Sequence, residues 1–148
     1  MVRAACLVVI LFASATQAQA QFSIRAASVE PVDGWQRMQV EHCQSRCFLW
    51  ISPTATIVAS DIERARPEVR PKGDTVIAVV FTNAGAQKLR DFTRANMNKF
   101  VAMVVDGRLI WAPLVRAEFS KETVLTGNGQ PHGLTEEEVE LIMAALSK

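Results

Sequence analysis

"FVAMVVDGRLIWAP", residues 100–113, decides the fold, because it reads as two strands folded back on a two-residue turn. Asp106-Gly107 lies between two β-rich runs. The type I′ turn that matches hairpin twist needs positive φ at both central residues, and an Asp-Gly pair supplies it. A loop of that length predicts Val105 opposite Arg108, Val104 opposite Leu109 and Ala102 opposite Trp111. The period of two then places Phe100, Ala102, Val104, Leu109 and Trp111 on one face. Pro113 has no N–H to give to a ladder, so strand 109–116 is an edge there or is interrupted by a bulge.

Upstream of the hairpin, "TVIAVVF" (residues 75–81) is apolar on both alternations, the pattern of a central strand covered on both faces. Thr82 or Asn83 can cap a helix that runs to Met97, with Leu89, Phe92 and Asn96 on the buried stripe and Lys88, Asp91 and Arg94 outward. Gly85 falls on the same stripe. Glycine inside a helix costs about 1 kcal/mol against alanine, which predicts a close approach of this helix to the sheet. Asn98 tolerates the left-handed conformation of a helix exit. Downstream, residues 123–126 form a short strand, and "GNGQPHG" is a loop. The last helix is announced by a Thr135/Glu138 capping box and a Leu134/Val139 staple, with Val139, Ile142, Met143 and Leu146 as its apolar stripe.

The first half is less regular. Residues 22–29 open as a strand, residues 31–46 ("PVDGWQRMQVEHCQSR") are turn-rich and read as irregular or partly helical, and "CFLWIS" (47–52) is a strand closed by Pro53. Ser60 and Glu63 have capping-box spacing, which predicts a short helix over residues 61–66, and "RPEVRPKGD" (66–74) reads as a loop. These elements give an α+β domain, a mostly antiparallel sheet with two main helices packed on one face.

A chain of 148 residues, 49% hydrophobic and 21% charged, suits one domain with a real core. Residues 1–20, "MVRAACLVVILFASATQAQA", carry one basic residue, Arg3, then an apolar run and an Ala18-Gln19-Ala20 ending, the layout of a cleaved secretory signal peptide. The apolar run is far shorter than the roughly 20 residues that span a bilayer. Residues 21–148 are then the single mature domain, periplasmic or secreted, and Cys6 leaves with the signal. Cleavage removes Arg3 and no acid, so the 16 basic and 15 acidic side chains of the whole chain become an even balance. No basic block remains to neutralise a row of phosphates, which argues against nucleic acid, and no polybasic or amphipathic segment offers a stable membrane anchor.

The order of motifs, "VASDIERA", "VIAVVFTNAGAQKLRDFTRANMNKFVAMVVDGRLIWAPLVR", "TVLTGNG" and "LTEEEVELIMAAL", resembles the periplasmic head subdomain of SecD, an accessory subunit of the bacterial protein-export translocon. The resemblance covers residues 58–146 and implies the SecD head fold in a free-standing secreted form. This sequence departs from the family pattern in four places: Asn98 replaces a usual glycine, Trp111 a small or polar residue, Ser120-Lys121-Glu122 a glycine-rich approach, and residues 128–133 look inserted. SecD's use of the proton gradient depends on transmembrane helices that do not follow here, so energy-driven translocation is not implied.

Cys43 and Cys47 are the mature cysteines, in a chain expected to meet an oxidising compartment. On a strand they would lie about 13 Å apart, whereas a turn brings their Cα atoms to about 6 Å, within disulfide reach. A structural disulfide between Cys43 and Cys47 is the expected reading, with free thiols and a redox or metal role as the alternatives. A zinc site would need His42, Cys43, Cys47 and His132, which do not repeat an established ligand spacing. Two histidines and no G-x-S-x-G elbow leave nucleophilic hydrolysis without support. Glu136, Glu137 and Glu138 read as a charged first turn favoured by the helix dipole, and Trp35, Trp50 and Trp111 as core or half-core residues. The expected function is a non-catalytic binding module with no cofactor, engaging polypeptide or a periplasmic protein partner through Trp111, Leu109 and Arg108 on an exposed strand edge. The alternative is a small thiol-redox or metal-binding factor built on Cys43 and Cys47.

Overall fold

The structure, a computed structural model, describes residues 21–129 and 133–147. The expected signal peptide with Cys6, and His132 of the zinc reading, lie outside the described residues. Among the described residues, nine strands and two α-helices follow in the order β1 (Phe22–Ser28), β2 (Gln36–Gln39), β3 (Phe48–Ile51), β4 (Ile57–Val58), β5 (Ile62–Val69), β6 (Thr75–Phe81), α1 (Asn83–Ala95), β7 (Phe100–Val105), β8 (Arg108–Trp111), β9 (Glu122–Leu125) and α2 (Glu136–Leu146). The fold is α+β, and the ladders between named strands are antiparallel. The strands divide between two sheets, one ordered β2-β3-β1-β7-β8 with β4 also on β1, the other ordered β5-β6-β9.

The hairpin turns as expected. Asp106 and Gly107 have φ of 50° and 77°, and Val105 pairs with Arg108 and Val104 with Leu109. The register then shifts by one, so Trp111 lies opposite Met103 and not Ala102. Ile110 is the extra residue of this bulge, and it turns Trp111 onto the face opposite to Leu109. The break comes before Pro113, whose carbonyl still accepts from the Val101 N–H.

The larger sheet is apolar on both faces. One face joins Ile24, Val101, Met103 and Ile110 to the main core with Phe81, Leu89 and Ile142. On the other, Leu49, Ile51, Ala102, Val104 and Leu109 form a second cluster, around which the sheet curls until Val40, just past β2, bridges Leu109 on β8. Burying a Leu, Ile or Phe side chain contributes roughly 1.5–3 kcal/mol, so these clusters outweigh any single local cross-link.

Between residues 31 and 74 the expectations need correction. Residues 31–46 include strand β2, not a helical piece. Residues 61–66 are not helical: a short 3₁₀ turn at Ala59–Asp61 leads directly into β5. Asp61, not Ser60, holds that turn, its carboxylate accepting from the Val58 N–H at 3.0 Å. The expected loop 66–74 is therefore strand as far as Val69. Its charged residues face outward, and Pro67 sits opposite Ile77, where the pairing of Ile77 with β9 leaves the strand nitrogen pointing to solvent. Charge and proline protect such an edge from pairing with other chains.

Thr82 caps α1 as expected, its side chain accepting from the Gly85 N–H, and Asn98 takes φ of 60° after the helix. Asn96 is the C-cap and only half-buried, and Thr93 takes the place expected for it on the buried stripe. Gly85 approaches Asp61 of the 3₁₀ turn and not the sheet: a Cβ there would lie 2.8 Å from the Asp61 Cβ and closer still to its carbonyl oxygen.

Candidate functional site

Alternation along β6 decides which backbone groups remain open. The Phe81 N–H donates to the Lys121 carbonyl, so Phe81, Val79 and Ile77 bond toward β9, and Ala78 and Val80 toward β5. Val124 lies opposite Ala78, so its N–H and C=O point away from the sheet. β9 is a terminal strand of its sheet, so among the described residues this pair of groups has no partner strand.

Beside this edge lies an apolar chamber of about 100 Å³, lined by Leu89, Met103, Trp111, Phe119, Thr123 and Val124 among others. Trp111 is half-buried and reaches it because the bulge turned the indole inward. Phe119 is held by its linker: its N–H donates to the Thr93 hydroxyl at 3.1 Å, and that buried hydroxyl donates to the Leu89 carbonyl at 2.8 Å. Sequence reasoning passed over Phe119. An isolated aromatic in the polar stretch after Pro113 was the available signal.

The three residues expected to form a contact surface do not share one. Trp111 faces the chamber. Leu109 is buried in the second cluster, and its carbonyl accepts from the Glu41 N–H at 2.9 Å, so the segment after β2 covers the β8 edge at that point. Arg108 is bound within the domain, to Glu41 at 3.1 Å and Glu137 at 2.7 Å. Hydrogen bonds first to Glu41 and then to Glu137 raise the guanidinium further above its ordinary value.

Cys43 and Cys47 are joined in a disulfide, with Cα atoms 5.2 Å apart. His42 just before it and Arg46 within the loop have φ of 49° and 55°, which turns "CQSRC" back on itself. His42 Nε2 stands 3.5 Å from Glu138 Oε1. Glu138, in the expected charged first turn and capping box, is fully buried, and its other oxygen accepts from the Thr135 N–H at 2.9 Å to complete that box. Among the described residues no group of three or more His, Cys, Asp or Glu side chains is placed to hold a metal ion. Among the described residues, too, no helix is long and apolar enough to cross a membrane.

Known proteins with similar sequences and structures agree with this architecture. The chain is 33% identical over 86 residues to protein translocase subunit SecD of Thermobaculum terrenum, covering 57% of this chain and 16% of that protein. It is 35% identical over 60 residues to protein translocase subunit SecDF of Thermus thermophilus, covering 40% of this chain and 8% of that one. It thus spans a small part of these relatives' length. Among solved structures, SecDF, described as a membrane component that enhances protein export, superposes with a TM-score of 0.63 at 21% identity, over 86% of this chain and 61% of that one. A crystal structure of SecDF in its super-membrane-facing form gives 0.62, also at 21% identity, over 86% of this chain and 18% of that one. The family model of the SecDF P1 head subdomain matches residues 36–146. The chain belongs to the SecDF P1 head subdomain family.

Proposed function

We propose that the protein is a non-catalytic, periplasmic module of protein export that holds extended polypeptide on the open edge of β9. The observation that carries this reading is the outward Val124 N–H and C=O beside the apolar chamber floored by Trp111 and Phe119. An extended chain paired with β9 places alternate side chains on one face, and one of them falls at the chamber. The chamber is smaller than the roughly 150 Å³ apolar cavity that admits a benzene-sized guest, so it suits one aliphatic side chain. Pairing through the backbone is blind to sequence, which matches a module that must accept many passenger chains.

The segment leading into β9 and the strand's first residue carry both signs, with Arg116, Glu118, Lys121 and Glu122 close together in sequence. A ligand of strong single charge has little to gain there. The disulfide cross-links the neighbourhood of β3 and leaves β9 free. The β5 edge is a poorer candidate, because it is fenced by charge and Pro67.

The test is the binding of a permanently unfolded, carboxymethylated polypeptide, read by fluorescence anisotropy. Val124→Pro removes the outward N–H without touching the bonds to β6, so the variant should fold and bind at least tenfold more weakly. A folded Val124→Pro protein that binds like the parent would remove β9 from the reading.

A further inference from the structure

Glu138 presents a buried carboxylate with one oxygen used and the other unanswered. Oε2 accepts from the Thr135 N–H, whereas Oε1 is buried with no hydrogen-bond partner. Such a group normally finds a donor, because a buried and unpaired polar atom is costly. His42 stands nearest, its Nε2 at 3.5 Å from Oε1, with a side chain 44% exposed and hence in exchange with solvent protons. A charge-assisted N–H···O bond closes to about 2.7–2.9 Å, so at 3.5 Å the pair stands open.

The backbone aims His42 at this carboxylate. Its own φ of 49° is in the left-handed region, and the residue before it is pinned twice, by the Glu41 N–H on the Leu109 carbonyl at 2.9 Å and by the Asn128 amide on the Glu41 carbonyl at 3.4 Å. The other charged groups around the pair are engaged with one another: Arg108 of β8 is held by Glu41 from the His42 segment and by Glu137 from α2. Neither acid competes for the imidazole while Arg108 keeps both.

We propose that His42 and Glu138 form a clasp that closes on protonation of the imidazole and ties the disulfide-bearing segment to the first turn of α2. Imidazolium donates from Nε2 whichever tautomer the neutral ring preferred, and it brings the opposite charge to Oε1. Histidine charges between about pH 5 and 8, so the clasp is closed at the acid end of that window and loosens as the pH rises. Its contribution is present where the ring is protonated, provided the carboxylate stays ionised. The tie matters to its surroundings: a groove of about 850 Å³ is lined by Gln44, Ser45 and Arg46 of the disulfide loop and by Gly127 and Asn128, which lead toward α2. Closing the clasp holds these two walls together.

Amide hydrogen exchange on the oxidised full domain reads this directly. After correction for intrinsic rates, residues 41–47 should be at least fivefold better protected at the acid end of the window than at the alkaline end. His42→Gln should bring that ratio to within twofold of one, and its partly exposed position makes it safe for folding. Glu138→Gln keeps the capping geometry, since glutamine serves at that position, and should abolish the ratio in the same way. A parent protein with a ratio within twofold of one overturns the clasp, and so does a ratio that persists in His42→Gln. If Glu138→Gln does not fold, the His42→Gln comparison decides alone.

Discussion

Replacing Gly85 by alanine sets helix propensity against packing, and the structure predicts which wins. Propensity alone favours alanine by at most about 1 kcal/mol at this first-turn position of α1. The added methyl would lie 2.8 Å from the Asp61 Cβ and nearer still to the Asp61 carbonyl oxygen. Carbon atoms rest about 3.5–4.0 Å apart, so the helix start and the 3₁₀ turn must separate by about an ångström. That oxygen is the acceptor for the Thr82 N–H at 2.9 Å, and the Asp61 carboxylate holds Lys88 at 2.8 Å and the Val58 N–H at 3.0 Å. Overpacking costs about 1–3 kcal/mol and a weakened buried hydrogen bond about 1 more, against the 1 gained, so the net loss is roughly 1–3 kcal/mol. At a specific unfolding entropy of about 2.1 cal/mol/K per residue, that lowers Tm by roughly 4–11 °C for a domain of this size. Thermal unfolding followed by circular dichroism measures it. A Gly85→Ala protein as stable as the parent, or more so, would refute the close approach.

Replacing Cys43 and Cys47 by serine should cost about 2 kcal/mol in urea unfolding, since the closed loop is short, and leave a folded domain because the apolar clusters are intact. Alkylation of the parent should label both cysteines only after reduction. The hydrogen bond from Arg94, and then its charge, holds the Glu118 carboxyl below its ordinary range. The pair's contribution is thus present above the ordinary carboxylate range and lost as pH falls through the depressed value. A carboxyl NMR titration of Glu118 should show this, and Arg94→Gln should return its midpoint upward toward the ordinary carboxylate range.

Elements specified by their own residues were readable in advance. The hairpin turn needs only Asp106-Gly107, α2 only its capping box and staple, and α1 only Thr82 and Asn98. The Cys43–Cys47 bridge followed from reach. The losses came where a distant partner overrides the local pattern. Ser60 and Glu63 imitate a helix start, yet β6 captures residues 62–69 because a ladder of seven pairs outweighs an unsupported helical turn. β2 is hidden among turn residues and forms only because β3 offers it a partner. Glu138 was legible as the capping carboxylate of α2, but its full burial was not, because that depends on distant segments packed against its helix face.

The candidate edge shows the same division at higher stakes. Pro113 and the position after the hairpin mark β8 as terminal, and in strand order it is. What the local pattern does not contain is Glu41, 67 residues from Arg108, whose side chain pairs with Arg108 and whose N–H takes the Leu109 carbonyl. That capture curls the larger sheet and covers the groups a bound strand would need. The bulge at Ile110 meanwhile turns Trp111 away from the covered edge and toward β9. The aromatic contact area and the open backbone groups, expected together on β8, therefore meet across the gap between the two sheets, with Trp111 from one and Val124 from the other. A polypeptide bound there would rest on both sheets at once, so its affinity should depend on how they are held against each other as well as on either edge alone.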